Sequence, residues 1–222
     1  FQWSPEQIAG WMKRNMKISV SHETIYQYIW KDKKNGGTLY KHLRHNGKKY
    51  NKRKGKNAGR GLIPNRIDID QRPKIVEKKS RIGDWEIDTV IGKNHKGALV
   101  SMVDRASKYT KIVHVENKKA SIVADAINKS LKSLNDVVHT LTADNGKEFA
   151  LHEKIASSLN ANVYFAKPYR SWERGLNEHT NGLIRQYFPK KTSFDTITYS
   201  QVKKVEFLLN SRPRKILKFK TP

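Results

Sequence analysis

Residues 47–61 read GKKYNKRKGKNAGRG, with seven Lys or Arg, four Gly and no acidic residue. A segment of this kind has almost nothing to bury and repels itself, so it cannot lie inside a core. It therefore divides the 222 residues into a short N-terminal part and a longer C-terminal part. The division expected is a helical unit over 1–46, a basic linker over 47–80 and a globular domain over 81–222. As a solvated tether the linker needs no further role. Beside a DNA-reading unit it is better read as tracking phosphates, with Lys52, Arg53 and Lys54 as its contacts.

The N-terminal part carries two helix starts. Ser4-Pro5-Glu6-Gln7 is a capping box with Pro at the first helical position, and Ile8, Trp11 and Met12 follow at helical spacing. A second start at Ser21 is followed by Ile25, Tyr28 and Ile29. Two short helices joined by a brief connection suit a helix-turn-helix, whose second helix enters the major groove. His22, Thr24, Gln27 and Lys31 lie off the apolar stripe and are the candidate DNA contacts. A plain helical hairpin with a solvated face accounts for the same pattern.

Charge favours the DNA reading. Lys and Arg number 45 against 20 Asp and Glu, a formal charge of +25. Self-repulsion of that size calls for a polyanionic partner, and counterion release makes nucleic acid the natural one. An anionic membrane surface is the rival, but no apolar run of eighteen residues and no leader pattern is visible. There is no cysteine, which excludes disulfides, thiolate zinc sites and Cys-His zinc modules. A cytoplasmic setting follows as the expectation. The first residue is Phe1 and the last Pro222, so the chain reads as a fragment.

From residue 81 the texture changes. WEIDTVIG (85–92), GALVSMVD (97–104) and KYTKIVHVE (108–116) read as three strands of a meander. A helix over 118–135, a strand over 137–143, a short helix over 152–160 and a strand over 161–166 follow. Helical patterns over 171–188 and 198–213 close the chain. The expected architecture is a mixed α/β sheet of five strands with flanking helices.

Asp88 lies mid-strand between Ile87 and Thr89-Val90-Ile91, where a carboxylate usually needs a partner or a metal. Asp144 ends the next apolar run, in TADNG, where plain turn chemistry is the alternative. Glu178, Gly182 and Arg185 share one face of the late helix. That helix, packed on the sheet, would bring Glu178 to the strand ends bearing Asp88 and Asp144. Three converging carboxylates need a cation, and oxygen ligands without thiolate select Mg²⁺ or Mn²⁺. Two such ions, about 3.5–4 Å apart, would clamp a phosphodiester undergoing in-line displacement. Glu86, on the Asp88 face, reads as a supporting carboxylate. Asp104 reads as an ion-pair partner of Arg105, and Glu173 competes less well with Glu178.

Asp88 in WEIDTV, Asp144 in TADNGKEF and Glu178 in GLNEHTNGLIRQYF resemble the Asp-Asp-Glu triad of retroviral-type integrases and transposases. GDWEIDTVIG, KPYRSWERGLNEHTNGLIRQYFPK and LNSRPRK resemble one branch closely, the bacterial insertion-sequence family IS-thirty. WSPEQIAGWMKR and ISVSHETIYQYIW are similar to that family's DNA-binding helices, so the resemblance spans almost the whole chain. It implies a ribonuclease-H-like core and a metal-dependent transposase acting on inverted-repeat ends and target DNA. It also implies a homodimer or higher oligomer on double-stranded DNA, with a nucleoid-associated location and no membrane. Asn181 and Arg185 match the family's ExxNGxxR run and are expected to position phosphates. A further N-terminal DNA-binding module is expected before Phe1. A retroelement-type integrase and a domesticated DNA-binding regulator are the alternatives. The missing zinc module weighs against the first and the intact triad against the second.

Overall fold

The computed structural model describes residues 2–44, 63–167 and 170–222. They fall into two compact units. The first contains helices α1 (Pro5–Asn15) and α2 (His22–Lys34). Ser4 starts α1 as expected: its hydroxyl accepts from the Gln7 N–H at 3.3 Å, and Gln7 accepts from the Ser4 N–H at 3.0 Å. Ser21 caps α2 through the Thr24 N–H at 3.0 Å.

The tail Asn210–Pro222 belongs to this first unit, although its sequence placed it with the globular domain 81–222. The reason is local. Gly10 lets the Phe219 ring approach so closely that a Cβ there would sit 2.2 Å from it. Arg14 also donates to the Lys218 carbonyl at 3.0 Å, and Lys215 pairs with Glu6 at 2.7 Å.

The second unit is built on one mixed sheet in the order β1-β6-β5-β2-β3-β4. Its strands are β1 (Ile67–Asp68), β2 (Asp84–Ile91), β3 (Ala98–Asp104), β4 (Thr110–Val115), β5 (Thr140–Ala143) and β6 (Asn162–Phe165). β2, β3 and β4 form the expected antiparallel meander. β5 and β6 join in parallel on the other side of β2. The sixth strand, β1, lies within the stretch read as linker. Two residues are too short for a periodicity signal, and they are held only by pairing with Tyr164 and Phe165.

Helices α3 (Ile75–Lys78), α4 (Ala120–Leu131), α5 (His152–Leu159), α6 (Gly175–Tyr187) and α7 (Tyr199–Asn210) complete the described elements. Trp85 and Ile87 of β2 point into a core with Val123, Ile127, Leu131 and Ile155 of α4 and α5. Val90, Leu99 and Ile112 meet Leu183 and Ile184 of α6 and Val202 and Val205 of α7. Alternation along β2 thus separates an apolar face from the face of Asp84, Glu86 and Asp88. At the edge strand β4, the Glu206 carboxylate of α7 accepts from the Ile112 N–H at 2.6 Å. Among the described residues no helix is long and apolar enough to cross a membrane.

Candidate active site

Parallel pairing of β2 with β5 sets Asp84 beside Thr140, Trp85 beside Leu141 and Glu86 beside Thr142. Two residues beyond the last of these pairs on each strand stand Asp88 and Asp144. Ligand sites of open sheets lie at the carboxyl ends of parallel strands; Asp144 directly follows β5, and Asp88 lies two residues past the last residue of β2 that pairs with β5. Asp144 also performs the turn chemistry its sequence suggested: its Oδ1 accepts from the Gly146 N–H at 2.8 Å. That leaves Oδ2 outside the turn hydrogen bond, beside Arg174. The turn and the site are one arrangement.

A guanidinium joins the two carboxylates. Arg174 Nη1 lies 3.4 Å from Asp88 Oδ2, and Nη2 lies 3.4 Å from Asp144 Oδ2. Arg174 also donates to the Ile87 carbonyl at 3.2 Å. Asn181 on α6 donates to the same Asp88 Oδ2 at 3.0 Å, while its own Oδ1 accepts from the Ser101 hydroxyl of β3 at 2.8 Å. Burial pushes the Asp88 carboxyl up to about 6; Arg174 opposes that rise and Asp144 adds to it. Asp88 is thus short of positive charge even with Arg174 beside it.

Glu148 is the third carboxylate at this place, and its sequence context did not single it out. It accepts from the Thr89 hydroxyl at 2.8 Å. A Cβ on Gly146 would lie 2.6 Å from Glu148 Oε2 and 2.8 Å from Asp144 Oδ1, so both carboxylates border that glycine. Its available signal was a position one short turn after Asp144, in DNGKE. Arg174 and Ser101 were missed as well. Neither carries a motif of its own, and only the pairing of β2 with β5 and β3 gives them partners.

Glu178 lies one turn before Asn181 on α6 and is exposed. Among the described residues, no three His, Asp or Glu side chains converge closely enough to hold a metal. The Asp88–Asp144 pair nevertheless fits a divalent cation. Its donors are hard oxygens, and the place between them already holds a positive group.

The remaining candidates fall outside this centre or alter in role. Glu86 is 2% exposed. It pairs with Arg105 at 2.7 Å and accepts from the Asn177 N–H at 2.9 Å, near the α6 N-terminus. Asp104 is structural, but through backbone rather than through Arg105. Its carboxylate accepts from Gly83, Ala106 and Ser107 N–H groups at 2.7, 3.1 and 2.6 Å. Glu173 is tied to the Lys167 N–H at 2.8 Å.

Arg185 donates to the Ile91 carbonyl at 2.6 Å and stacks over Phe194. This anchors α6 to the end of β2 and takes up donors expected to meet phosphate. On α2, His22, Gln27 and Lys31 are exposed, and so is Thr24, whose hydroxyl meets Ser21 at 2.8 Å in the cap. Lys52, Arg53 and Lys54 lie outside the described residues.

Comparison with known proteins bears on the whole arrangement. The integrase core domain family matches residues 78–171, which hold β2 to β6 with Asp88 and Asp144. The transposase for insertion sequence element IS4351 of Bacteroides fragilis is 55% identical over 99% of this chain and 68% of its own length. Transposase InsI for insertion sequence element IS30A of Escherichia coli is 38% identical over 100% of this chain and 60% of its own. The transposase for IS1086 of Cupriavidus metallidurans is 32% identical over 100% of this chain and 67% of its own length. A chain of the simian T-cell lymphotropic virus intasome structure is similar at 20% identity and a TM-score of 0.47, over 69% of this chain and 51% of that one. The chain thus spans 60 to 68% of the length of these transposases. With a relative 55% identical along 99% of this chain and an integrase core match that includes the paired aspartates, the chain belongs to the IS30-type family of DDE transposases.

Proposed function

We propose that the chain binds the inverted-repeat ends of an insertion element and cleaves them to expose a 3′-OH. It then joins that 3′-OH to target DNA at the same centre. The observation supporting this most directly is the pairing of Asp88 and Asp144 across one positive group, Arg174. When bound, two Mg²⁺ or Mn²⁺ ions would activate the attacking oxygen and offset charge on the phosphodiester.

The chain's own residues prepare that centre. Asp88 and Asp144 present carboxylate oxygens, and Asn181 fixes the orientation of Asp88. Glu86 holds the α6 N-terminus, so the helix carrying Glu178 lies along β2. Glu178 is the third carboxylate in this reading, one turn from the residue that touches Asp88. Its approach to the pair belongs to the DNA-bound state.

His22, Thr24, Gln27 and Lys31 on α2 are proposed to read the duplex, with Lys52, Arg53 and Lys54 on phosphates. Asn181 is proposed to act through Asp88 rather than on phosphate. Synapsis of two ends calls for a homodimer or larger assembly.

The test is Asp144→Asn with end-bearing duplex and Mg²⁺. Cleavage and strand transfer should be lost while duplex affinity stays near that of the parent. Persistent cutting would move the centre elsewhere. Anomalous scattering from a Mn²⁺-soaked crystal should place the metal between Asp88 and Asp144, and a peak at another constellation would break the reading.

A further inference from the structure

Arg174 occupies an unusual position. It directly precedes Gly175, the first residue of α6, and its side chain is 13% exposed. Its two terminal nitrogens divide between Asp88 and Asp144, one each at 3.4 Å. A guanidinium that bridges two carboxylates presents the charge and the separated contacts that a bridging cation presents, and it does so with a planar fork. Asp88 Oδ2 receives both Arg174 and Asn181, so the oxygen most suited to metal is already engaged twice.

We propose that Arg174 is a resident counter-ion of the aspartate pair, and that a divalent cation enters by displacing it. This rests on the reading of Asp88 and Asp144 as metal ligands. Two like charges side by side repel. Arg174 keeps them adjacent before metal arrives, which makes it a positioning residue. The same contact weakens the first metal-binding step in DNA-free protein, because one positive charge must leave as another enters. A DNA phosphate beside the site offers the freed guanidinium a new bidentate partner. Substrate and metal therefore load together, and DNA-free protein stays poorly metallated.

The experiment is calorimetric titration of DNA-free protein with Mn²⁺ alone, in the parent chain, Arg174→Gln, Arg174→Lys and Asp88→Asn. Arg174→Gln should bind Mn²⁺ on the order of tenfold more tightly than the parent, since a like charge has gone. Arg174→Lys should fall between, because one ammonium cannot fork to both carboxylates. Unchanged or weaker affinity in Arg174→Gln, with Asp88→Asn abolishing binding, would overturn the displacement and leave the metal centre standing. Mn²⁺ binding that survives Asp88→Asn would overturn the metal centre and the displacement with it. Thermal unfolding of each variant checks that it folds. If Arg174→Gln does not, Arg174→Lys decides alone by the same comparison.

Discussion

Glu86 accepts a hydrogen bond from the backbone N–H of Asn177 at 2.9 Å, joining the middle of β2 to the first turn of α6. The same carboxylate pairs with buried Arg105 at 2.7 Å. A negative side chain at a helix N-terminus is favourable in any context. Here it fixes where the helix that carries Glu178 and Asn181 begins.

Glu86→Ala should therefore be costly. Removing Glu86 leaves buried Arg105 with only the exposed Glu77 carboxylate, at 3.2 Å, a loss of about 3 kcal/mol. Urea unfolding of the variant measures it. A loss under about 1 kcal/mol, the range of exposed pairs, would mean that Glu86 anchors nothing.

Gly83 precedes β2 with φ +103, and a Cβ there would lie 1.6 Å from the Val137 carbonyl oxygen. Backbone strain and a backbone clash coincide. Gly83→Ala should lose about 3 kcal/mol or more, read as a shift of the denaturant midpoint. Near-parent stability would show that the approach of residue 137 to this turn is loose.

Asp88 sets a pH dependence whose sign follows from its raised carboxyl. Its folded value is about 6 against an ordinary 3.8, because burial penalises the anion. The stability it contributes is then fully present below about pH 4. That contribution declines as pH rises to about 6 and is absent above. In metal-free protein, Asp88→Asn should be more stable than the parent at pH 7 by on the order of 2–3 kcal/mol. The difference should shrink towards pH 4. A constant difference across that window would assign the effect to packing.

Neutralising Lys52, Arg53 and Lys54 together should weaken binding to every duplex tested and flatten its salt dependence. Each lost phosphate contact lowers the slope of log affinity against log salt by about 0.9. Affinity lost for one sequence alone would identify these residues as base readers.

The legible parts of the molecule were those where one periodicity governs a long run. β2, β3 and the α4 and α6 stripes follow from alternation and helical spacing. Asp88 stood out because it interrupts a β-branched run, and Asp144 because it ends one. What escaped depends on register. Nothing local to Arg174 indicates two aspartates, since they are brought together only when β2 and β5 pair in parallel. Arg185 has the spacing of a phosphate contact, yet its donors face the end of β2 because α6 packs there. β1 is two residues long and exists only because β6 offers a free edge. The tail after Leu209 continues a helical pattern without a break in composition, so its return to the N-terminal helices left no sequence mark.

Glu206 on the β4 edge carries a last implication. A sheet grows by lending its outermost amide groups to a neighbouring chain. On β4 the Ile112 amide already has an intramolecular acceptor, and the opposite border is the two-residue β1. Strand addition has little purchase on either margin. A second chain adding to β4 would have to break the Ile112–Glu206 hydrogen bond first. α7 thus does for this border what a further strand does inside a sheet: it occupies an amide that would otherwise be open to pairing.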